Sequence, residues 1–177
     1  MRKIFCLSLV FLLAFVACNV DKQIEENVKK LKSTEVKERT RAAGKLMQLG
    51  AQAEGAVPAL RETLQDPDWQ VRNAVVYAIF RIGGEEANAA LKEVLPVYIR
   101  ALRSENPATR LFAIEGIGYF GPVGLKAVPE VLSVMETSGK LYDQLKTENP
   151  ELAKYHYWIS NQAKYTLQKL KGFTEKR

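Results

Sequence analysis

The chain has 177 residues, 47% of them hydrophobic and 26% charged, with a formal net charge of +6. That is enough for one domain with a real core, and it excludes a disordered or low-complexity protein. Losing Arg2 and Lys3 with a targeting segment would leave 24 basic against 20 acidic residues, alternating in sign as in Glu25-Glu26 before Lys29-Lys30; a nucleic-acid binder gathers its cations on one stripe, so no nucleic-acid partner is expected.

Residues 1–17 read as a secretory signal: Arg2 and Lys3, then an apolar run from Ile4 to Val16 that is shorter than the ~20 residues a spanning helix needs. Its end, Phe15-Val16-Ala17-Cys18, resembles the lipobox of bacterial lipoproteins, although Phe15 stands where Leu, Val or Ile is usual. The resemblance implies that Cys18 is diacylated and becomes the N-terminus of a membrane-anchored chain; an ordinary cleaved signal with an incidental cysteine is the alternative. Cys6 then leaves with the signal and Cys18 is consumed by the lipid, so no disulfide, metal thiolate or cysteine nucleophile is expected. Asn19 stands where enteric bacteria place Asp to retain a lipoprotein in the inner membrane, so the resemblance implies an outer-membrane protein facing the periplasm.

Residues 18–32 are expected to form a tether and an N-terminal capping helix, with Ile24, Val28 and Leu31 on one stripe. The organising unit comes later, from Asp66 to Gly83. Val71, Val75, Ala78, Ile79 and Ile82 fall at helical spacing, Asp66-Pro67 are expected as N-cap and first helical residue, and Gly83 as the stop. Placing Gly83 over Gly50, an offset of 33, or over Gly121, an offset of 38, aligns Arg72 with Arg39 and Arg110. After each glycine a second helix is expected at an apolar-Pro pair: Val57-Pro58, Leu95-Pro96 and Val128-Pro129. Five extra residues within Glu85 to Val94 account for the longer offset.

These recurring residues, the Val71-Arg72 pair, the small Ala74 and Ala78, and Ile82-Gly83, resemble HEAT repeats, in particular the short bacterial HEAT-like repeats of phycobilin lyases. The resemblance implies an all-α, short right-handed α-solenoid of stacked antiparallel helix pairs, HEAT-like or armadillo-like. Three repeats are expected at 33–65, 66–103 and 104–137. Ser138-Gly139 is read as a break, and residues 138–171 as a degenerate capping repeat. Within it Asn149-Pro150 opens a long helix with a core stripe of Leu152, Tyr155, Ile159, Ala163, Leu167 and Leu170, and residues 172–177 form a basic tail.

No constellation points to catalysis. His156 is the only histidine, which rules out a histidine metal cluster, and it is expected at the surface or half-buried. Glu85-Glu86 and Glu25-Glu26 lie in solvated charge patterns, and Gly116, Gly118 and Gly121 follow a helical stretch where a phosphate loop would need a strand. Arg39, Arg72 and Arg110 are expected to form a structural ladder bonding polar groups and loop carbonyls between repeats. The face lined by the second helices, concave in HEAT-like solenoids, superposes Glu62, Arg100 and Ser133 in one row and Gln65, Arg103 and Glu136 in the next. These rows are candidates for holding an acidic segment of a partner protein. Trp158 and Tyr165, opposite the core stripe of the last helix, are a second candidate contact, or else they pack under Leu141 and Leu145.

The function expected is a monomeric, non-enzymatic protein-binding or scaffolding module, anchored to the cell envelope through Cys18 and using no cofactor or metal. The alternative that the resemblance implies is a tetrapyrrole lyase or chaperone for bilin or haem.

Overall fold

The computed structural model describes residues 19–175 and, within them, contains helices and no strand. Helix α1 covers residues 19–30, followed by α2 (Val36–Leu49), α3 (Val57–Thr63), α4 (Trp69–Ile82), α5 (Gly84–Ala101), α6 (Pro107–Ile117), α7 (Val128–Leu145) and α8 (Pro150–Lys171). Short 3-10 segments, Gly50–Ala56 and Gly121–Ala127, join α2 to α3 and α6 to α7. The first helices stack as a row, α2 on α4, α4 on α6 and α6 on α8. This is an all-α solenoid of helix pairs, as the sequence implies.

Three of the helices start on a side-chain cap. Asp68 caps α4 by accepting from the Gln70 and Val71 amides at 2.7 and 3.4 Å, and Asn106 caps α6 in the same way through Ala108 and Thr109. Asn149 caps α8 through the Leu152 amide at 3.1 Å. The expected cap at Asp66 is therefore corrected by two residues. Asp66 instead accepts from the Asp68 amide at 2.9 Å and from Arg39, so its carboxylate tightens the turn before the helix. The three aligned glycines all stand at positive φ, 54° at Gly50, 73° at Gly83 and 58° at Gly121, a region closed to most side chains. At Gly121 a Cβ would also lie 2.1 Å from the Phe80 ring.

Two second helices differ from expectation. In the middle repeat the extra residues are helical, so α5 begins at Gly84, ten residues before the Val94-Leu95-Pro96 stretch, and carries Pro96 inside it. It tolerates the proline because Pro96 and Lys92 are exposed, leaving the carbonyl that lost its donor to water, while Leu91, Val94, Leu95 and Tyr98 stay buried. In the third repeat α7 does not break at Ser138-Gly139 but runs on to Leu145. Ser138 is 3% exposed, and a Cβ at Gly139 would sit 3.7 Å from Ser160 Oγ. The two small residues let α8 lie close along α7, and Ser160 donates to the Met135 carbonyl at 3.2 Å. Close packing outweighs the weak helix propensity of glycine.

Ile24 and Val28 of the N-terminal helix, with Leu31 just past its end, pack on the core, as the stripe predicts. The interior between repeats is built from Ala42, Ala43, Leu46, Val75, Ala78 and Ile79, all at most 1% exposed. Side chains hook neighbouring helices across this layer: Asn73 donates to the Phe112 carbonyl at 3.0 Å and Thr166 to the Ile114 carbonyl at 3.0 Å. Gly116 is required at one crossing, because a Cβ there would fall 2.2 Å from the Tyr98 ring and 2.4 Å from Asn73 Oδ1.

The stripe of α8 also differs from expectation. The buried positions are Ala153, His156, Ile159, Ala163, Thr166 and Leu170, while Tyr155 is 41% exposed. His156 takes the core place expected for Tyr155, and it is more buried than a surface or half-buried histidine, at 6% exposed.

Candidate functional site

The first helices pack closely, but α5 and α7 are not among the closely packed pairs. The gap between them is a groove that opens on the second-helix face. Its outer part, about 270 Å³, lies between Leu102 and Arg103 on one side and Pro129, Glu130 and Ser133 on the other. The inner part, about 380 Å³, shares Arg103 and Ser133 and continues past Arg110, Thr137 and Ser138 to His156. Leu102, Val134 and Leu141 supply apolar wall along the same path. A groove with an apolar floor and convergent cations and hydroxyls suits an extended peptide better than a compact apolar ligand.

The six residues expected on this face, Glu62, Gln65, Arg100, Arg103, Ser133 and Glu136, are all exposed. The groove brings Arg103 and Ser133 together. Glu62 instead approaches Lys32 Nζ at 3.7 Å near the other end of the stack. Among the described residues Arg100 and Arg103 make no ion pair, so their charge is available to a partner. Trp158 and Tyr165 are 43% and 60% exposed on the outer side of α8. They do not pack under Leu141 and Leu145; Trp158 meets Tyr155 edge-on at 5.6 Å and Lys154 at 5.4 Å. Cys18 lies outside the described residues.

The arginine row is less uniform than its spacing suggests. Arg39 clamps Asp66 through Nε at 2.6 Å and Nη2 at 3.0 Å, and its Nη1 holds the Ser33 and Thr34 carbonyls. This pair does bridge repeats, and the Asp66 hydrogen bond raises the Arg39 pKa further above its ordinary value. Arg110 holds the Ser104 and Glu105 carbonyls with one nitrogen at 2.6 and 3.1 Å. Arg72 departs from the expectation: its guanidinium lies 3.7 Å from the Trp69 ring centroid, reaches only the Pro67 carbonyl at 3.4 Å, and leaves Nε buried without a partner. The residue in register with Asp66 in the next loop is Ser104, whose hydroxyl accepts from the Asn106 amide and supplies no carboxylate to Arg72.

Sequence reasoning missed His156 and Arg110 as parts of the groove. A signal was present: a period of 3.5 through Ala153, His156, Ser160 and Ala163 puts the histidine on the buried side. Burial, and then the nearby charge of Arg110, lowers the His156 pKa, and burial also lowers that of Arg110. Among the described residues no group of three or more His, Cys, Asp or Glu side chains could hold a metal ion. No helix among them is long and apolar enough to cross a membrane.

Residues 24–97 match a family model described as HEAT repeats. The match runs from α1 into α5, and over that stretch the chain is similar to HEAT repeats. One similar solved structure is the crystal structure of an engineered protein, a Northeast Structural Genomics Consortium target. It is 21% identical with a TM-score of 0.41, over 81% of this chain and 63% of that chain. This chain therefore spans under two thirds of that structure's length. No curated protein matches the chain.

Proposed function

We propose that this protein is a non-enzymatic interaction module of the bacterial cell envelope, held at the outer membrane by lipid on Cys18, that takes an extended acidic segment of a partner protein along its second-helix face. HEAT repeats support the coarser part of this reading, a protein-interaction or scaffold module. The observation that carries the finer part is the groove between α5 and α7, which converges Arg103, Arg110 and hydroxyl groups on an apolar floor. Unpaired cations beside a desolvated wall favour carboxylates, and the apolar floor adds area to the contact.

The test is capture. With the anchored protein as bait in membrane extract, Arg100→Glu combined with Arg103→Glu abolishes recovery of the partner and leaves circular dichroism unchanged, because both side chains are outside the core. Capture that survives this reversal but fails on Trp158→Ala with Tyr165→Ala overturns the groove reading and assigns contact to the outer face of α8.

A further inference from the structure

Arg39, Arg72 and Arg110 hold one position in three successive repeats, but only Arg39 meets a carboxylate, that of Asp66 at 2.6 and 3.0 Å. Arg110 reproduces the other half of the arrangement, one nitrogen on two carbonyls of the preceding turn, and makes no ion pair among the described residues. By register, the counterpart of Asp66 for Arg110 is Thr137, as far past Pro129 as Asp66 is past Pro58, and its hydroxyl donates to the Ser133 carbonyl at 2.8 Å and supplies no carboxylate. Because α7 runs on through this position to Leu145, no turn falls there, and α8 presents His156 to the groove beside Thr137. His156 is 6% exposed, and its Nδ1 is buried without a partner. The other charged group lining this end is Arg103, from the turn after α5; α7 contributes the hydroxyls of Ser133, Thr137 and Ser138 and no charge. No carboxylate lines it.

We infer that the inner end of the groove is a carboxylate-binding subsite, in which an Asp or Glu side chain of the partner takes, between Arg110 and His156, the place that Asp66 takes against Arg39. The planar guanidinium donates to two carboxylate oxygens at Arg39, and Arg110 can do the same here, while the apolar wall adds contact for a carboxylate carried on a peptide that free phosphate lacks. His156 can donate the remaining bond once it is protonated or in the matching tautomer, and the hydroxyls of α7 can do so at the rim. The subsite rests on the reading of the groove as the partner-binding face.

The sole histidine makes the test direct, since its ring resonances are unambiguous in the nitrogen-proton spectrum of the full chain in detergent. The probe is the blocked peptide acetyl-Leu-Glu-Leu-Glu-Leu-amide, with its Gln counterpart and inorganic phosphate as the two other arms. The Glu peptide shifts the His156 signals and raises the pH at which they titrate; the Gln peptide and phosphate at equal concentration do not. Arg110→Gln weakens the peptide at least tenfold. Because Arg110 also holds a turn, Thr137→Glu gives an independent reading from an exposed position: its own carboxylate raises the His156 titration without ligand and displaces the peptide. His156 signals that ignore the Glu peptide, or answer the Gln peptide equally, overturn the subsite, and an equal response to phosphate replaces it with a general anion site. If partner capture is lost on Arg100→Glu with Arg103→Glu while His156 ignores the Glu peptide, the subsite is wrong and the binding face stands. If capture survives the reversal, the binding face itself is wrong.

Discussion

At the scale of single residues, the same side chain at the same repeat position does three different things according to what the next loop offers. Arg39 finds a carboxylate, with both side chains nearly out of water at 11% and 7% exposure, so the pair is scarcely screened. Removing one partner strands the other, at a cost of about 2–3 kcal/mol. Arg72 has an aromatic face in place of a carboxylate, and cation–π contacts contribute about 0.5–2 kcal/mol; its Nε is unpaired already, so truncation strands nothing new. Urea denaturation should therefore show Arg39→Ala clearly more destabilised than Arg72→Ala. The reverse order would mean that Trp69 and Arg72 hold the second repeat more firmly than the ion pair holds the first. The row of arginines was legible in the sequence because it needs only register. Which of them is paired was not, because Asp66 and Ser104 occupy one register position and differ only in side-chain charge.

At the scale of elements, the stops at Gly50 and Gly83 were read correctly because a helix end at positive φ is a local requirement, whereas α6 stops earlier than Gly121, at Gly118. The continuity of α7 was not legible, since nothing local favours a helix through Ser138-Gly139 and the reason lies in α8, more than 20 residues on, where Ser160 bonds the Met135 carbonyl. The misplacement of Tyr155 has the same origin: an aromatic is ordinarily the better core residue, and only the packing of α8 on α7 and α6 selects the face that carries His156 instead. That burial has a consequence for pH. The His156 pKa is lowered from 6.5 in the fold by burial first and by Arg110 second, so the unfolded chain binds the proton more readily. The contribution of His156 to stability is complete above pH 6.5 and falls as pH drops from there through the lowered folded-state value. Carboxylates add their own pH dependence at lower pH, so the comparison is between wild type and His156→Gln. The denaturation midpoint of the wild type should decline more steeply than that of the variant between pH 7 and 5. Parallel profiles would show the ring to be solvated in the fold.

At the scale of the whole molecule, a stack of repeats is stabilised by nearest-neighbour contacts, so its two ends need not matter equally. The N-terminal end is covered through three side chains, Ile24 and Val28 of α1 and Leu31 just past its end, and is the end from which the expected lipid anchor extends. If Cys18 carries lipid, Cys18→Ser abolishes labelling by a fatty-acid analogue and releases the protein from the membrane, whereas labelling that persists in the variant overturns the anchor. The C-terminal end is different in kind. Helix α8 lies along the whole of α7 and also on α6, burying Ile159, Ala163 and Leu170 completely and satisfying the Ile114 carbonyl through Thr166. Burying a large aliphatic side chain contributes about 1.5–3 kcal/mol, so losing α8 removes more than the net stability of a typical domain can spare. Deleting residues 19–32 from the anchor-free protein should lower the melting temperature by several degrees and leave a cooperative transition and most of the helical signal. Deleting residues 148–177 should leave α7 without its packing partner, removing the cooperative transition and exposing the apolar side of α6 to a hydrophobic dye. A C-terminal deletion that still melted cooperatively near the full-length temperature would show that the three repeats stand alone and that α8 is an appendage.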